Sequence, residues 1–181
     1  MPASPDQTRD AGAAALLALA GEQPWRQITL RDVAGRAGLP LAELYAAATS
    51  KEALLAHLAG RQDAAALATA ETPSEDPHDR LFDATMARVE AMQSDRAALI
   101  GIAREASAVA LAAHFPRTAR AILEAAGVEA TPPRVVAMTL VWARVAQVWR
   151  DDEGALNRTM AEIDQRLKQM RARLVRIGAG F

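Results

Sequence analysis

The stretch Thr-Leu-Arg-Asp-Val-Ala-Gly-Arg-Ala-Gly-Leu-Pro-Leu-Ala-Glu-Leu-Tyr-Ala-Ala-Ala, residues 29–48, decides the fold. Two helices joined by a tight turn need a small residue where they cross, a turn residue that tolerates positive φ, and an apolar side chain between them. Ala34, Gly38 and Leu44 occupy these three positions. The small core between the helices would be completed by Val33, Ala37 and Leu39. The spacing predicts a helix-turn-helix, whose second helix can enter a major groove; a plain αα-hairpin is the alternative.

The composition of the whole chain favours helices. Of the 181 residues, 51% are hydrophobic, 24% are charged and only 4% are aromatic, and there is no cysteine. This composition excludes a disordered chain, and the absence of cysteine excludes disulfides and thiolate metal sites. Ala, Leu, Arg and Glu are strong helix formers, and Gly and Pro punctuate the chain. We expect an all-α protein of about nine helices, over roughly 5–20, 30–38, 41–47, 51–71, 78–94, 95–112, 116–127, 132–150 and 153–177.

The charge is unevenly distributed although the formal net charge is −1. Residues 1–60 carry five basic and six acidic side chains, and residues 61–164 carry eleven and sixteen. Residues 165–181 carry five basic side chains and no acidic one. We expect two domains, a helix-turn-helix head over 1–50 and a helical core over 51–181. The clearest loop within this core is 72–77, which is rich in Pro, Ser and acidic residues.

Four blocks of the N-terminal region carry a family resemblance. They are residues 28–34, 37–39, 44–45 and 50–55, and Trp25 stands where an aromatic residue often precedes them. With this spacing the chain resembles the tetracycline-repressor (TetR) family of transcriptional regulators over about its first 58 residues. The resemblance implies a DNA-binding head, a small-molecule pocket in the helical core, and a homodimer formed through the last two helices. It further implies a repressor that leaves its double-stranded DNA operator when a small apolar ligand binds.

The resemblance also implies which residues contact DNA. Thr29, Tyr45 and Lys51 match positions that contact phosphates in the family, and a hydroxyl or ammonium beside helix N–H groups suits that role. The other candidate DNA contacts are Arg31, Leu41, Glu43 and Thr49. The second helix departs from the family pattern because it offers no Arg, Lys, Asn or Gln to read a base edge. Glu43 would accept from a cytosine amino group or else repel phosphates.

Two further sets of residues are predicted in the core. The pocket for a small apolar ligand would be lined by Phe82, Met86, Val89, Leu99, Ile100 and Phe115, with Met92 and Ile102 nearby. The same side chains also suit a plain hydrophobic core. The dimer interface would use Val135, Leu140, Trp142, Val145, Trp149, Ile163 and Leu167. The helix near 133–150 is apolar on almost every side, so it must be covered on almost every side.

The C-terminal region carries a second resemblance. Residues 148–152 and 159–167 resemble the ubiquinone-biosynthesis accessory proteins, which share the TetR fold and bind lipid. The alternative function is therefore a lipid- or isoprenoid-binding accessory protein without sequence-specific DNA binding. An apolar stripe runs through Ile163, Leu167, Met170, Leu174, Ile177 and Phe181, flanked by basic residues. Such a stripe either packs in a dimer or lies on an anionic membrane, and we expect weak membrane contact only through a loose end, 171–181.

Nothing in the sequence recommends an enzyme or a cofactor. There is no Gly-rich phosphate loop, serine elbow or HExxH motif, and the three histidines, His57, His78 and His114, lack ligand spacing. The first residues show no secretory signal, and we expect a cytoplasmic protein.

Overall fold

Helices account for the regular structure of the chain. The computed structural model describes residues 4–107, 111–152 and 155–181. In these residues there is no strand, and two single turns of 3-10 helix, Trp25–Gln27 and Thr69–Glu71, accompany the α-helices. The nine α-helices in this part of the chain are α1 (Pro5–Glu22), α2 (Leu30–Ala37), α3 (Leu41–Ala47), α4 (Lys51–Ala68), α5 (Pro77–Glu90), α6 (Arg96–Glu105), α7 (Phe115–Ala125), α8 (Pro132–Asp151) and α9 (Asn157–Arg176). The prediction of an all-α fold is confirmed.

The signals that begin α1 and α2 are those expected from the sequence. The Gln7 amide donates to the Ser4 hydroxyl at 3.2 Å, and the Ser4 amide donates to the Gln7 side-chain oxygen at 2.8 Å. Thr29 and Asp32 form the same reciprocal pair at the start of α2. Each pair satisfies two N–H groups that the first helical turn leaves without partners.

Two predicted helix bounds need correction. The sixth helix was expected to reach residue 112, but α6 ends at Glu105, and residues 108–110 lie outside the described residues. The last helix was expected from about residue 153 and begins at Asn157. The Asp152 carboxylate accepts hydrogen bonds from the Thr159 amide at 2.9 Å and hydroxyl at 2.8 Å, so it caps the first turn of α9.

The chain divides into two compact units, Met1–Arg61 with Ser94–Leu111 and Gln62–Gln93 with Ala112–Phe181. Helix α6 therefore belongs to the first unit, although it comes after α5 in the chain. The functional division into a head over 1–50 and a core over 51–181 stays a prediction.

The core of the first unit forms where α1 packs against α2, α3 and α6. Ile102 of α6 is buried in this core, which corrects the expectation that Ile102 lines the interior of the second domain. The fully buried large side chains of the core of the first unit are Leu16, Val33, Leu44, Leu54 and Ile102. Each such side chain contributes about 1.5–3 kcal/mol relative to an exposed one. This core fixes α2 and α3 against α1, which is the support of the two helices.

The core of the second unit lies between α5, α7, α8 and α9. Its largest fully buried side chains are Leu81, Val89, Ile122, Leu123, Met138, Ile163 and Leu167. Helix α8 contributes buried residues from Val135 to Trp149, because it packs against both α7 and α9. The almost continuous apolar sequence of this helix is thus largely explained within one chain.

Gly12 marks the closest approach of α1 to its neighbours. A Cβ atom at Gly12 would lie 2.8 Å from Leu44 Cδ1 and 3.1 Å from Leu54 Cδ2. Both leucines are fully buried and have little room to move. A Cβ at Gly35 of α2 would meet nothing within 4 Å.

We therefore predict opposite effects for two glycine-to-alanine substitutions. Gly12→Ala should lower the free energy of unfolding by about 1 kcal/mol, because overpacking outweighs the gain in helix propensity. Gly35→Ala should raise it by about 0.5–1 kcal/mol. Urea unfolding followed by circular dichroism measures both. Equal stabilisation by the two changes would show that the contact at Gly12 is loose.

Candidate nucleic-acid interface

Helix α3 presents an apolar outer face. Leu41 is 39% exposed and Tyr45 is 56% exposed, and Ala42 and Ala46 are exposed beside them. Leu44, on the opposite side, is fully buried. Positions 41, 42, 45 and 46 share one side of a helix, so the predicted second helix of the helix-turn-helix directs a patch of carbon atoms and one phenol away from the unit.

The turn before α3 has the expected geometry. Gly38 has φ 66° and ψ 27°, which is the left-handed conformation that favours glycine, and Leu39 donates to the Ala34 carbonyl at 3.0 Å. Pro40 then precedes α3 as its N-cap residue and has no N–H group to donate. The predicted helix–turn–helix arrangement of α2 and α3 is present.

Three of the predicted DNA contacts lie at exposed positions around α2 and α3. Arg31 and Thr49 are exposed, and Thr29 is exposed at the N-cap of α2. The Thr29 hydroxyl donates to the Asp32 carboxylate at 2.6 Å, and this hydrogen bond lowers the pKa of Asp32 below its usual value. The threonine thus holds the helix start, and its contact with a phosphate stays a prediction.

Glu43 faces the support as well as the surface. Its carboxylate accepts a hydrogen bond from the Thr8 hydroxyl of α1 at 3.2 Å, and the Arg9 guanidinium donates to the Ala47 carbonyl at 3.1 Å. These two contacts join the start and the end of α3 to α1. The sequence prediction placed Glu43 near a base or phosphate and missed this positioning role, because the partner Thr8 lies 35 residues earlier in the chain.

Lys51 is engaged in the structure of the first unit. Its ammonium donates to the carbonyl of Trp25 at 2.6 Å and to that of Ile28 at 3.1 Å, and it lies 4.2 Å from the centroid of the Trp25 ring. A cation that caps two carbonyls and covers an aromatic ring stabilises the segment before α2. A contact between Lys51 and phosphate stays a prediction.

The charges near α2 are also paired. Arg36 donates to both carboxylate oxygens of Glu22, one of them at 2.8 Å. This pairing lowers the pKa of Glu22 and raises that of Arg36. Residues 1–60 carry five basic and six acidic side chains, so they have no excess of the positive charge that drives strong nonspecific DNA binding.

The predicted ligand residues are divided between the two units. Phe82, Met86 and Phe115 are partly buried and Val89 is buried in the second unit. Leu99 and Ile100 are partly buried in the first. A ligand pocket lined by all six side chains stays a prediction.

Most of the residues predicted for the dimer interface are buried within one chain, and their role in a dimer stays a prediction. Only Leu140, which is 65% exposed, is available on the surface. The six that are buried within the second unit are Val135, Trp142, Val145, Trp149, Ile163 and Leu167. A side chain that is already buried offers no area to a second copy. The sequence could not separate the two roles, since both require apolar residues on α8 and α9.

A different apolar surface follows α8 and α9. Val136, one turn before Leu140, is 62% exposed, and both residues line a groove between the two helices. The apolar lining of the groove is completed by Val141, Met170, Leu174 and Ile177, and its edge carries Arg144, Arg166 and Arg173. The spacing of four residues between Val136 and Leu140 was a signal for this face that the sequence prediction did not use, since it named only Leu140 of the two.

The C-terminal end is held against the second unit. The Arg134 guanidinium donates to the Ala179 carbonyl at 3.0 Å and the Gly180 carbonyl at 2.7 Å, and it lies 5.4 Å from the centroid of the Phe181 ring. The expectation of a loose end over 171–181 is therefore wrong. The stripe expected on a membrane or in a dimer is also mostly internal, since Ile163, Leu167, Met170 and Leu174 are buried.

The described residues also limit two other kinds of site. No helix among them is both long and apolar enough to cross a membrane. No group of three or more acidic or histidine side chains among them is placed to hold a metal ion.

Several solved structures with a similar fold are described as transcriptional regulators. A TetR transcriptional regulator from Nitrosomonas europaea ATCC 19718 is similar over 90% of this chain and 97% of its own, with a TM-score of 0.71 and 22% identity. One from Rhodococcus sp. RHA1 is similar over 91% and 96%, with a TM-score of 0.69 and 19% identity. The dihydroxyacetone kinase operon activator DhaS is similar over 93% and 96%, with a TM-score of 0.59 and 12% identity.

The chain therefore has the fold of TetR-type regulators, as the sequence predicted. No protein-family model and no curated protein matches it. These structures give no support to the resemblance to ubiquinone-biosynthesis accessory proteins.

The contacts of Lys51 lead to a stability prediction. Lys51→Met should lower the free energy of unfolding by about 1.5–3 kcal/mol, because it removes charged hydrogen bonds to two carbonyls. Arg104→Met, at an exposed position of the same unit, removes the same charge and should change stability by less than about 0.5 kcal/mol. Guanidinium unfolding monitored by tryptophan fluorescence compares them. Equal stabilities would mean that the Lys51 ammonium is not needed to hold the unit.

Proposed function

We propose that this protein is a DNA-binding transcriptional regulator without catalytic activity, a homodimer that represses transcription until a small ligand releases it from its operator. The observation that carries the proposal is the helix-turn-helix, in which α3 is held on α1 by its inner face and directs its outer face outward. The likeness to TetR regulators supports the proposal at the level of the fold.

The outer face of α3 determines how a base sequence would be recognised. Its side chains at 41, 42 and 46 are aliphatic, and the sequence offers no amide or guanidinium there. Apolar side chains in the major groove contact the C5 methyl group of thymine, which no other base carries in unmodified DNA. Specificity would therefore come from thymine methyl groups together with the shape of the DNA, and phosphate contacts would fix the register.

This recognition mode predicts a dependence on methyl groups. The full chain should enrich a defined sequence from random duplex DNA, and replacing thymine by uracil in that sequence should weaken binding about tenfold. Each lost methyl contact accounts for about 0.8 kcal/mol, and a dimer would contact two half-sites. Fluorescence anisotropy measures the two duplexes.

Leu41→Ala should reduce the discrimination between thymine and uracil, and Leu67→Ala, an exposed leucine of α4, should leave it unchanged. Failure to enrich any sequence would contradict the proposed function. Enrichment of a sequence that tolerates uracil would contradict only the methyl-based recognition. A reporter gene controlled by the enriched sequence then tests repression, because one protein of this fold is named an operon activator.

The groove between α8 and α9 supports the homodimer. Val136, Leu140 and Ile177 are all more than 60% exposed in one chain, which is unusual for large apolar side chains grouped on one face. A two-fold contact would place the same face of each copy against the other and cover these residues.

A charge placed in this groove should separate the copies. Leu140→Glu should convert a dimer into a monomer, because two carboxylates would be buried near each other at a two-fold contact. Leu67→Glu makes the same change at an exposed leucine outside the groove and should remain dimeric. Sedimentation equilibrium at micromolar concentration gives the masses. A monomeric wild type, or a dimeric Leu140→Glu variant, would refute this interface.

A further inference from the structure

The second unit contains a buried cluster of polar side chains. Gln62 and Asp63 come from α4, Arg88 from α5 and Thr118 from α7, and the first three are between 3% and 6% exposed. The Arg88 guanidinium lies 5.0 Å from the centroid of the Trp142 ring of α8. Charged side chains are rarely buried to this extent unless their polar atoms are paired.

The hydrogen bonds of the cluster converge on one atom. Arg88 Nε donates to Asp63 Oδ1 at 2.8 Å, and the Thr118 hydroxyl donates to the same oxygen at 2.8 Å. Asp63 Oδ2 receives no hydrogen bond within the described part of the chain, and its ion-pair contact to Arg117 Nε is 3.9 Å long. The Arg88–Asp63 pair is thus joined through a single oxygen.

Two buried donors also lack partners among the described residues. They are Arg88 Nη1 and the Gln62 side-chain nitrogen Nε2. Folded proteins pair the large majority of such buried groups, so an unpaired donor on Arg88 and another on Gln62, the residue before Asp63 in the chain, indicate missing partners. Burial lowers the pKa of Arg88, but a guanidinium keeps its charge, and its N–H groups remain donors.

We propose that this cluster binds the carboxylate of an organic acid whose remaining part is apolar. The unpaired atoms are two donors and one acceptor, so an oxygen acceptor complements them better than a donor does. A guanidinium is planar and matches a carboxylate in geometry and charge. Arg88 is buried with Asp63, whereas Arg117, 3.9 Å from the same carboxylate, has a side chain that is 68% exposed, so Arg88 is the guanidinium that would hold the ligand.

The cluster indicates the chemical class of the regulator's ligand. Only the effect of that ligand on DNA binding rests on the proposed function. The ligand was expected to be apolar from the residues predicted to line its pocket, and the cluster adds an anionic head to that expectation. Binding is measured on the full chain without DNA, so the two proposals fail separately. A chain that selects no DNA but binds a carboxylate contradicts only the regulator, and the reverse result contradicts only this site.

The test compares probes that differ only in their polar group. Calorimetry with octanoate, octanol and octylamine, and with benzoate, benzyl alcohol and benzylamine, should show that a carboxylate binds at least tenfold more tightly than its alcohol, with no binding of the amine. The guanidinium attracts the carboxylate and repels the ammonium. Equal binding of acid and alcohol, or no binding of either acid at millimolar concentration, would overturn the proposal. The unpaired donors would then bind water.

Gln62→Met is the decisive variant, because methionine has nearly the same shape and no polar donor. It should melt at the same or a higher temperature than wild type, since an unpaired buried amide is lost, but bind the acid about fivefold more weakly. Arg88→Lys should weaken binding about tenfold, and Arg120→Lys, the same change at an exposed position of α7, should not weaken it. Unchanged acid affinity in Gln62→Met would exclude Gln62 from the site and refute the proposal.

Discussion

The close packing of Leu44 and Leu54 against Gly12 is the contact on which the first unit depends. A glycine at this point of α1 lets both leucines approach the helix backbone, where a side chain would hold them away. Leu44 is fully buried, and its burial against α1 orients α3. Burying Leu44 also turns Tyr45 away from the core, since consecutive residues of an α-helix are about 100° apart around its axis.

The polar side chains around α3 mostly stabilise the support of that helix. Glu43 is joined to Thr8, Lys51 caps two carbonyls beside Trp25, and Arg36 is paired with Glu22. Each of these contacts lies within the first unit and engages a group that a DNA-binding surface would otherwise present. The outer face of α3 is left with Leu41, Tyr45 and alanines, so its chemistry is mostly apolar.

The second unit shows two kinds of incomplete pairing. On its surface, Val136 and Leu140 leave apolar area uncovered along the groove of α8 and α9. In its interior, Arg88 and Gln62 leave hydrogen-bond donors without partners in the described chain. Both arrangements raise the free energy of the folded chain, because apolar area is exposed to water and buried donors lack hydrogen-bond acceptors. Both features fit the two proposals, in which a second copy covers the apolar groove and a ligand pairs with the buried donors.

The sequence by itself determined the helices, their main start and stop signals and the helix-turn-helix, because capping residues and Gly38 act through contacts only a few residues apart. It also determined that the outer face of α3 is apolar. Only the tertiary structure decided that Trp142 and Ile163 belong to the core of one chain, and that Lys51 contacts Trp25. Apolar periodicity states that a residue is buried but not against what, and a lysine's charge does not reveal which atoms lie within its reach. Such partners are far apart in the chain, so the fold alone selects them.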